Sequence, residues 1–333
     1  MPPVADPLSI LEAAYRVEQP EDPWLRGVLD AARPSLDRGR GVIGYFVDVS
    51  TAGDFRAWGL RAVGRDEDAE RVQFERWSEL TPIALKRHTH LFWPSGFGSQ
   101  IPPLAVPRKA FDASLVATGF PEVFGISALD ATGRGCALAV PYPDGVAGTA
   151  PDPTSLWDRV AAHLSTAARL RVRLESASPP PVEAVLDPGG KVQHAEGDAK
   201  QRSTRDALRD AAVRIDRARS RSARDDAMKA TELWPALVAK RWSLVDQFDR
   251  DGRRYLVARP NEPALPASSQ LTAREAQVVA AAALGHSNKM IAYELSVSGS
   301  TVAACLSRAA RKLGVSSRVE LIRLVAQRAQ RAK

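Results

Sequence analysis

The stretch SNKMIAYELSVSGSTVAACLSRAARKLGV, residues 287–315, gathers hydroxyls and cations around the starts of two short helices joined by a tight turn. Such groups hold polyanions: hydroxyls beside a helix N-terminus donate to phosphate oxygens, and Lys and Arg neutralise them. The outward face of the second helix nevertheless carries Ala303, Ala304 and Ser307, where arginine or lysine is expected of a helix that reads DNA. Residues suited to breaking bonds are sparse. His88 and His90 in KRHTHLFW stand two apart. On a strand they would share a face and could ligate metal, but no third ligand lies nearby in sequence, so a surface or hydrogen-bonded pair is expected. Phe92, Trp93 and Phe97 could line a ligand cavity, but ordinary core packing is the expectation for them. LDPGGK at 186–191 lacks the spacing of a phosphate loop and reads as a turn. Cys136 and Cys305 fit no disulfide or metal framework. No Ser–His–Asp order, paired carboxylates or receiver-type acidic cluster stands out. The expectation is a protein that is not an enzyme and takes no cofactor or metal.

Helices must position the groups at 287–315. Thr272 suits an N-cap, and Glu275 three residues on completes a capping box. Val278, Val279 and Ala282 give this first helix its buried face, and Gly285 its stop. Ser287 caps the second helix, whose Ile291 and Leu295 point inward. After a turn at Ser296 and Val297, Ser298 caps the third, with Val302, Leu306, Ala309 and Leu313 on its buried stripe. Gly314 ends it. Ser317 and Glu320 form a second capping box, opening a last helix with Leu321, Leu324 and Val325 on one side. Cys305, next to Leu306, is expected to pack inward as a small hydrophobe rather than act as a redox switch.

Charge singles out the same region. The 333 residues carry a net +7. Residues 267–333 hold ten Lys/Arg against three acids, so the whole excess lies there and the rest is neutral. A basic module on a neutral body is the electrostatic footprint of a polyanion binder. With 44% hydrophobic and 26% charged residues the chain is in the globular range. No apolar run approaches the roughly 18 residues that span a bilayer, and no basic start followed by an apolar stretch marks a signal peptide. A reducing, cytoplasmic setting is expected, with no membrane partner.

Two polar, proline-containing stretches, SASPPP at 176–181 and RPNEPALPASSQ at 259–270, divide the chain. The expected domains are 1–175, 182–262 and 267–333. In the first, helical patterns at Leu8, Leu11 and Tyr15 and at Trp24, Val28 and Leu29 precede two strands, GVIGYFVDVS and DFRAWGLRAVG. A polar helix, DAERVQFERWSEL, and a hairpin around DATGRG follow. A long helix closes it, with Leu156, Val160, Leu164, Ala168 and Val172 as its apolar stripe. The second domain reads as a strand pair around DPGG, a charged helix with Leu208, Ala212 and Ile215 buried, and a hairpin around DRDG. The Arg-rich RIDRARSRSARDD is read as a solvated face because acids are interspersed. By element order, the first block resembles a GAF-type sensor domain and the second a reduced PAS-like module. The fold class expected is therefore multi-domain: α+β sensor-like domains with antiparallel sheets, followed by an all-α tetrahelical helix-turn-helix domain.

LTAREAQVV, GHSNKMIAYELSVSGSTV and RKLGVSSRVELIRLV together resemble the LuxR-type (GerE-type) helix-turn-helix domain over roughly residues 267–330. The resemblance implies a dimeric transcription regulator that binds double-stranded DNA and is controlled by an N-terminal input domain, through a small-molecule effector or a protein partner. It makes 298–313 the recognition helix in the major groove. Ser298, Ser300 and Thr301 would donate to phosphates, Asn288 and Lys289 would clamp the backbone, and Arg308, Arg311 and Lys312 would anchor the far side. The sequence departs from the family pattern at Ala303, Ala304 and Cys305. Alanine offers neither the Arg–guanine nor the Asn–adenine pair, each worth about 1–3 kcal/mol of discrimination. Two readings stay open. In one, Ala303 and Ala304 touch thymine methyls while DNA shape, Ser307 and Arg308 supply specificity. In the other, the tail is degenerate and binds DNA weakly, and the chain is a ligand-sensing or protein-interaction protein.

Overall fold

The computed structural model describes residues 6–51, 54–92, 94–98, 119–130, 132–142, 154–239, 241–261, 271–283, 286–295 and 297–315, and singly 109, 113, 321 and 324. Helices α1 (Pro7–Ala14) and α2 (Glu21–Leu36) lead into strands β1 (Val42–Asp48) and β2 (Arg56–Val63). Helices α3 (Glu67–Leu80) and α4 (Ile83–Phe92) follow, then β3 (Ser95–Phe97), β4 (Glu122–Leu129), β5 (Arg134–Tyr142) and the long α5 (Thr154–Leu174). The five strands form one antiparallel sheet in the order β2-β1-β5-β4-β3. A second antiparallel sheet, β7-β6-β9-β8, is built from β6 (Ala184–Leu186), β7 (Val192–Ala195), β8 (Trp242–Phe248) and β9 (Arg254–Pro260). Between its strand pairs lie α6 (Arg202–Ala218), α7 (Arg221–Arg224) and α8 (Ala227–Leu233). The antiparallel sheets with helices expected for this body are present. The turns at DATGRG, DPGG and DRDG close where the sequence puts them, each on an Asp that accepts backbone N–H groups: Asp130, Asp187 and Asp249.

Alternation splits the first sheet into two unlike faces. Phe124, Ile126, Cys136, Leu138 and Val140 point to one side and pack under α2 and α5, against which α1 packs in turn. Phe97 belongs to this side, edge-on to Phe124 and Tyr142 with ring centroids 5.3 and 5.0 Å away, as ordinary core. The other face carries Ile43, Tyr45 and Ala137 and lies under α3.

Two expectations are corrected, and a condition placed on the histidines is not met. The segment holding the two histidines is helix α4, not a strand, so the condition for a shared strand face is not met. His90 itself is the hydrogen-bonded histidine expected, 2.9 Å from the Tyr45 hydroxyl. Among the described residues no group of three His, Cys, Asp or Glu could hold a metal ion. Helix α5 is not striped: residues 160–171 are buried all round, including His163 and Thr166, while Val172 is exposed. The reason is its position. It is covered by the first sheet on one side and by α1, α8 and the C-terminal helix at Asn288–Glu294 on others. Buried Arg169 hydrogen-bonds the Asn261 backbone and side-chain oxygens, tying α5 to the end of β9. Finally, RIDRARSRSARDD is not simply a solvated face. Arg219 stacks on Trp234 and pairs bidentately with Asp246. Arg224 reaches Asp6 and Glu12 of the N-terminal segment. A single hydrophobic cluster consequently runs from Leu8 through α5 to Ala258.

Candidate nucleic-acid interface

The C-terminal helices are α9 (Ala273–Ala283), α10 (Asn288–Glu294) and α11 (Gly299–Leu313). Their starts follow the expected chemistry. Glu275 N–H donates to Thr272 Oγ1 (3.3 Å) and Thr272 N–H donates to Glu275 Oε2 (2.9 Å), a reciprocal capping box. Ser287 Oγ accepts from Met290 N–H and Ser298 Oγ from Thr301 N–H. Gly314 stands at φ +71°, the left-handed C-cap that favours glycine. Val278, Val279, Ala282, Ile291, Leu295, Val302, Leu306 and Ala309 form the module's core, with Cys305 among them and Leu321 sealing it. The thiol is therefore a small buried hydrophobe. The stop at Gly285, the turn residue Ser296, and Ser317, Glu320 and Val325 lie outside the described residues.

The polar face of α11 is open. Ser300, Ala303, Ala304, Ser307, Arg308 and Arg311 are exposed and follow the i, i+3, i+4, i+7 spacing of one helix side. Ser298 Oγ lies 2.8 Å from both Ser300 Oγ and Thr301 Oγ1, so three hydroxyls cluster at the helix start, where the backbone dipole favours an anion. Lys312 departs from this set. Its ammonium donates to Glu275 Oε2 at 2.7 Å, and Arg308 Nε lies 3.5 Å from Oε1 of the same carboxylate. The Lys312 hydrogen bond, with the Thr272 cap, holds the Glu275 carboxyl down at about 2. Asn288 and Lys289 sit elsewhere, at the start of α10; Lys289 borders a crevice shared with Asp158 and Arg159 of α5.

Residues 269–325 match the family described as bacterial regulatory proteins, luxR family. The C-terminal module is a LuxR-family helix-turn-helix domain. Over 94 residues, 28% of this chain, the protein is 36% identical to "HTH-type transcriptional regulator MalT" of Vibrio campbellii (strain ATCC BAA-1116) and to that of Vibrio parahaemolyticus serotype O3:K6 (strain RIMD 2210633). It is 38% identical over 80 residues, 24% of this chain, to the protein of that name in Vibrio cholerae serotype O1. The chain spans only 9–10% of the length of these relatives.

The LuxR-family domain does not stand apart from the body. Helix α10 has two apolar sides. Ile291 and Leu295 face its own module, while Met290 joins the body's core cluster. Tyr293 reaches into the body as well. Its hydroxyl lies 2.8 Å from Thr231 O, 3.2 Å from Trp234 O and 2.9 Å from His163 Nε2. Because carbonyls only accept, the Tyr293 proton goes to one of them and His163 Nε2–H donates to the Tyr293 oxygen. His163 Nδ1 then accepts from the Tyr15 hydroxyl, 3.0 Å away. Burial pulls the imidazole down to about 3, so the relay is neutral at physiological pH. Arg159 lies over the Tyr293 ring at 5.2 Å. Sequence reasoning did not find this anchor. Its signal was there: Met290 and Tyr293, three apart, form a second apolar side that a helix packed only within its own module does not need.

Proposed function

We propose that the protein is a DNA-binding transcription regulator, without enzymatic activity of its own, that reads the major groove with α11 as a homodimer under control of GAF-like (1–175) and PAS-like (182–262) input domains. One observation carries the reading. The exposed row Ser300, Ala303, Ala304, Ser307, Arg308 and Arg311 lies uncovered on the third helix of a LuxR-family domain, in the segment that holds the chain's whole charge excess. The names of the relatives agree with it. On this reading Ser298 and Thr301 donate to a phosphate, Arg308 and Arg311 neutralise others, and the two alanines rest on base edges, with thymine methyls as their apolar partners. Asn288 and Lys289 contact the backbone from the seam between α10 and α5. The anchor at Tyr293 is the route by which the input domains set the position of the tail.

Replacing Arg308 and Arg311 together by Glu tests this. Affinity for any duplex should fall by more than about tenfold, and the slope of log K against log salt should shrink by about two phosphate contacts. Gel shifts on genomic fragments at several salt concentrations measure both, and an unchanged slope rejects the contacts. The second reading, a tail that binds DNA without sequence preference, is favoured by the missing hydrogen-bonding side chains at Ala303 and Ala304 and by the engagement of Lys312 with Glu275. Sequencing the fragments the full chain retains separates the two, since only a specific reader enriches a common site.

A further inference from the structure

On β3, β4 and β5, part of the first sheet's face beneath α3 and α4 is built from residues too small to fill the space. Across β3, β4 and β5, Gly96 pairs with Gly125 and Gly125 with Ala139. One row along, Ser127 pairs with Ala137. Alternation puts these residues on one side of the sheet, while Phe124, Ile126 and Val140 between them fill the other. The result is a cavity of about 140 Å³ between sheet and helices. A carbon built on Gly125 would meet nothing nearer than the Gly96 carbonyl at 4.0 Å, so the backbone there does not demand glycine. The void is a property of the side chains chosen.

Its opposite wall is aromatic. Phe74 and Trp77 of α3 line it, ring centroids 5.4 Å apart, and Tyr45 rises from β1 of the sheet itself to meet Phe74 at 4.7 Å. Glycine and alanine of β3, β4 and β5 facing the α3 rings leave a slot, lined also by Ile43, Leu60, Val123 and Pro141, and a slot takes a planar molecule. An apolar cavity of about 150 Å³ is large enough for a single benzene ring. The polar groups define its charge. His90 Nδ1 lies 2.7 Å from Lys86 O, so it carries the proton and donates, leaving Nε2 to accept from the Tyr45 hydroxyl. Burial brings this imidazole down to about 4, so it is neutral. Glu70, the one acid among the described lining residues, is paired with Arg65. None of the described lining residues is a Lys or Arg. Among the described lining residues an anionic ligand finds no cation, since Arg65, over the Phe120 ring, is held by Glu70, and a cationic ligand would have to compete with Arg65 for Glu70.

We propose that this cavity is a binding site for a neutral, planar, single-ring aromatic molecule. The site gives the input domain of the proposed function its ligand class, and it rests on that reading only for the consequence for DNA. Three probes that share one ring and differ in charge test it: benzyl alcohol, benzoate and benzylammonium, each titrated into the full chain and followed by Trp fluorescence and by thermal unfolding. Benzyl alcohol should bind at least about tenfold more tightly than either ion and raise the unfolding midpoint with concentration. Gly125→Leu, which fills the slot, should abolish the response while unfolding at no lower temperature than the parent. Ala139→Leu fills it from the neighbouring strand and should do the same. Equal binding of the charged probes, or an unchanged response in a folded filling variant, overturns the proposal. A gel shift with and without benzyl alcohol reads the regulatory consequence separately. Binding without any effect on DNA affinity supports the site and rejects its control of the tail.

Discussion

At the scale of single residues, Glu275 does more than close a cap. It accepts from the Thr272 backbone, binds Lys312 and lies beside Arg308, so one carboxylate fixes a helix start and draws two cations toward the module. Glu275→Gln should cost roughly 1 kcal/mol of stability through the weakened cap. It should also strengthen DNA binding and steepen its salt dependence, because Lys312 and Arg308 are released toward phosphate. Urea unfolding and gel shifts measure the two effects, and a loss of DNA affinity would mean that the clamped geometry is the binding one. The folded-state value near 2 lies below the unfolded one of about 4.3. This part of the stability is therefore present above pH 4.3 and is lost as pH falls toward 2. The capping box was legible in the sequence because its partners are three residues apart. The Lys312 pairing was not, because 37 positions separate it from Glu275.

At the scale of elements, α10 decides how the LuxR-family domain sits on the body. Seven residues serve two cores, and Tyr293 carries the polar part of the contact. Tyr293→Phe keeps the ring and removes the hydroxyl, leaving His163 Nε2–H without its acceptor and one of the two carbonyls without its donor. Each unsatisfied buried group costs about 1–3 kcal/mol, so the seam should open well before the body unfolds. Hydrogen exchange of the α10 amides should accelerate while exchange in α5 and the first sheet stays as in the parent. If α10 remains as protected as before, the apolar contact of Met290 holds the seam unaided. Helix α5 shows the same limit of sequence reading from the other side. Its apolar stripe correctly marked a helix, but the stripe described only one of the faces that tertiary packing covers, since His163 and Thr166 are fully buried as well.

Across the whole molecule, two buried histidines set the response to acid. His163 and His90 are held by burial at about 3 and about 4, below the unfolded value of about 6.5. The unfolded chain therefore binds protons that the folded one refuses. Stability is complete above pH 6.5 and declines below it, by about 1.4 kcal/mol per pH unit for each histidine down to its folded value. Denaturant midpoints taken from pH 7.5 to 5 should fall accordingly, and His163→Gln should reduce the slope by about half; a flat profile in the parent rules this out. What the sequence determined by itself was local: the helix starts at Thr272, Ser287 and Ser298, where hairpins turn, the apolar stripe of α11, and that the basic C-terminal tail is a LuxR-type module. Caps, turns and periodicity depend on residues within a few positions of one another, so they survive without knowledge of the fold. Tertiary structure alone decided the rest. Arg219 and Arg224 became ties rather than solvent contacts because acids from distant segments meet them. Tyr15, His163 and Tyr293 became one relay across 278 positions of chain. The cavity exists because small residues on three strands fall in register beneath rings from another element, and empty volume is a property of the assembled packing rather than of any segment.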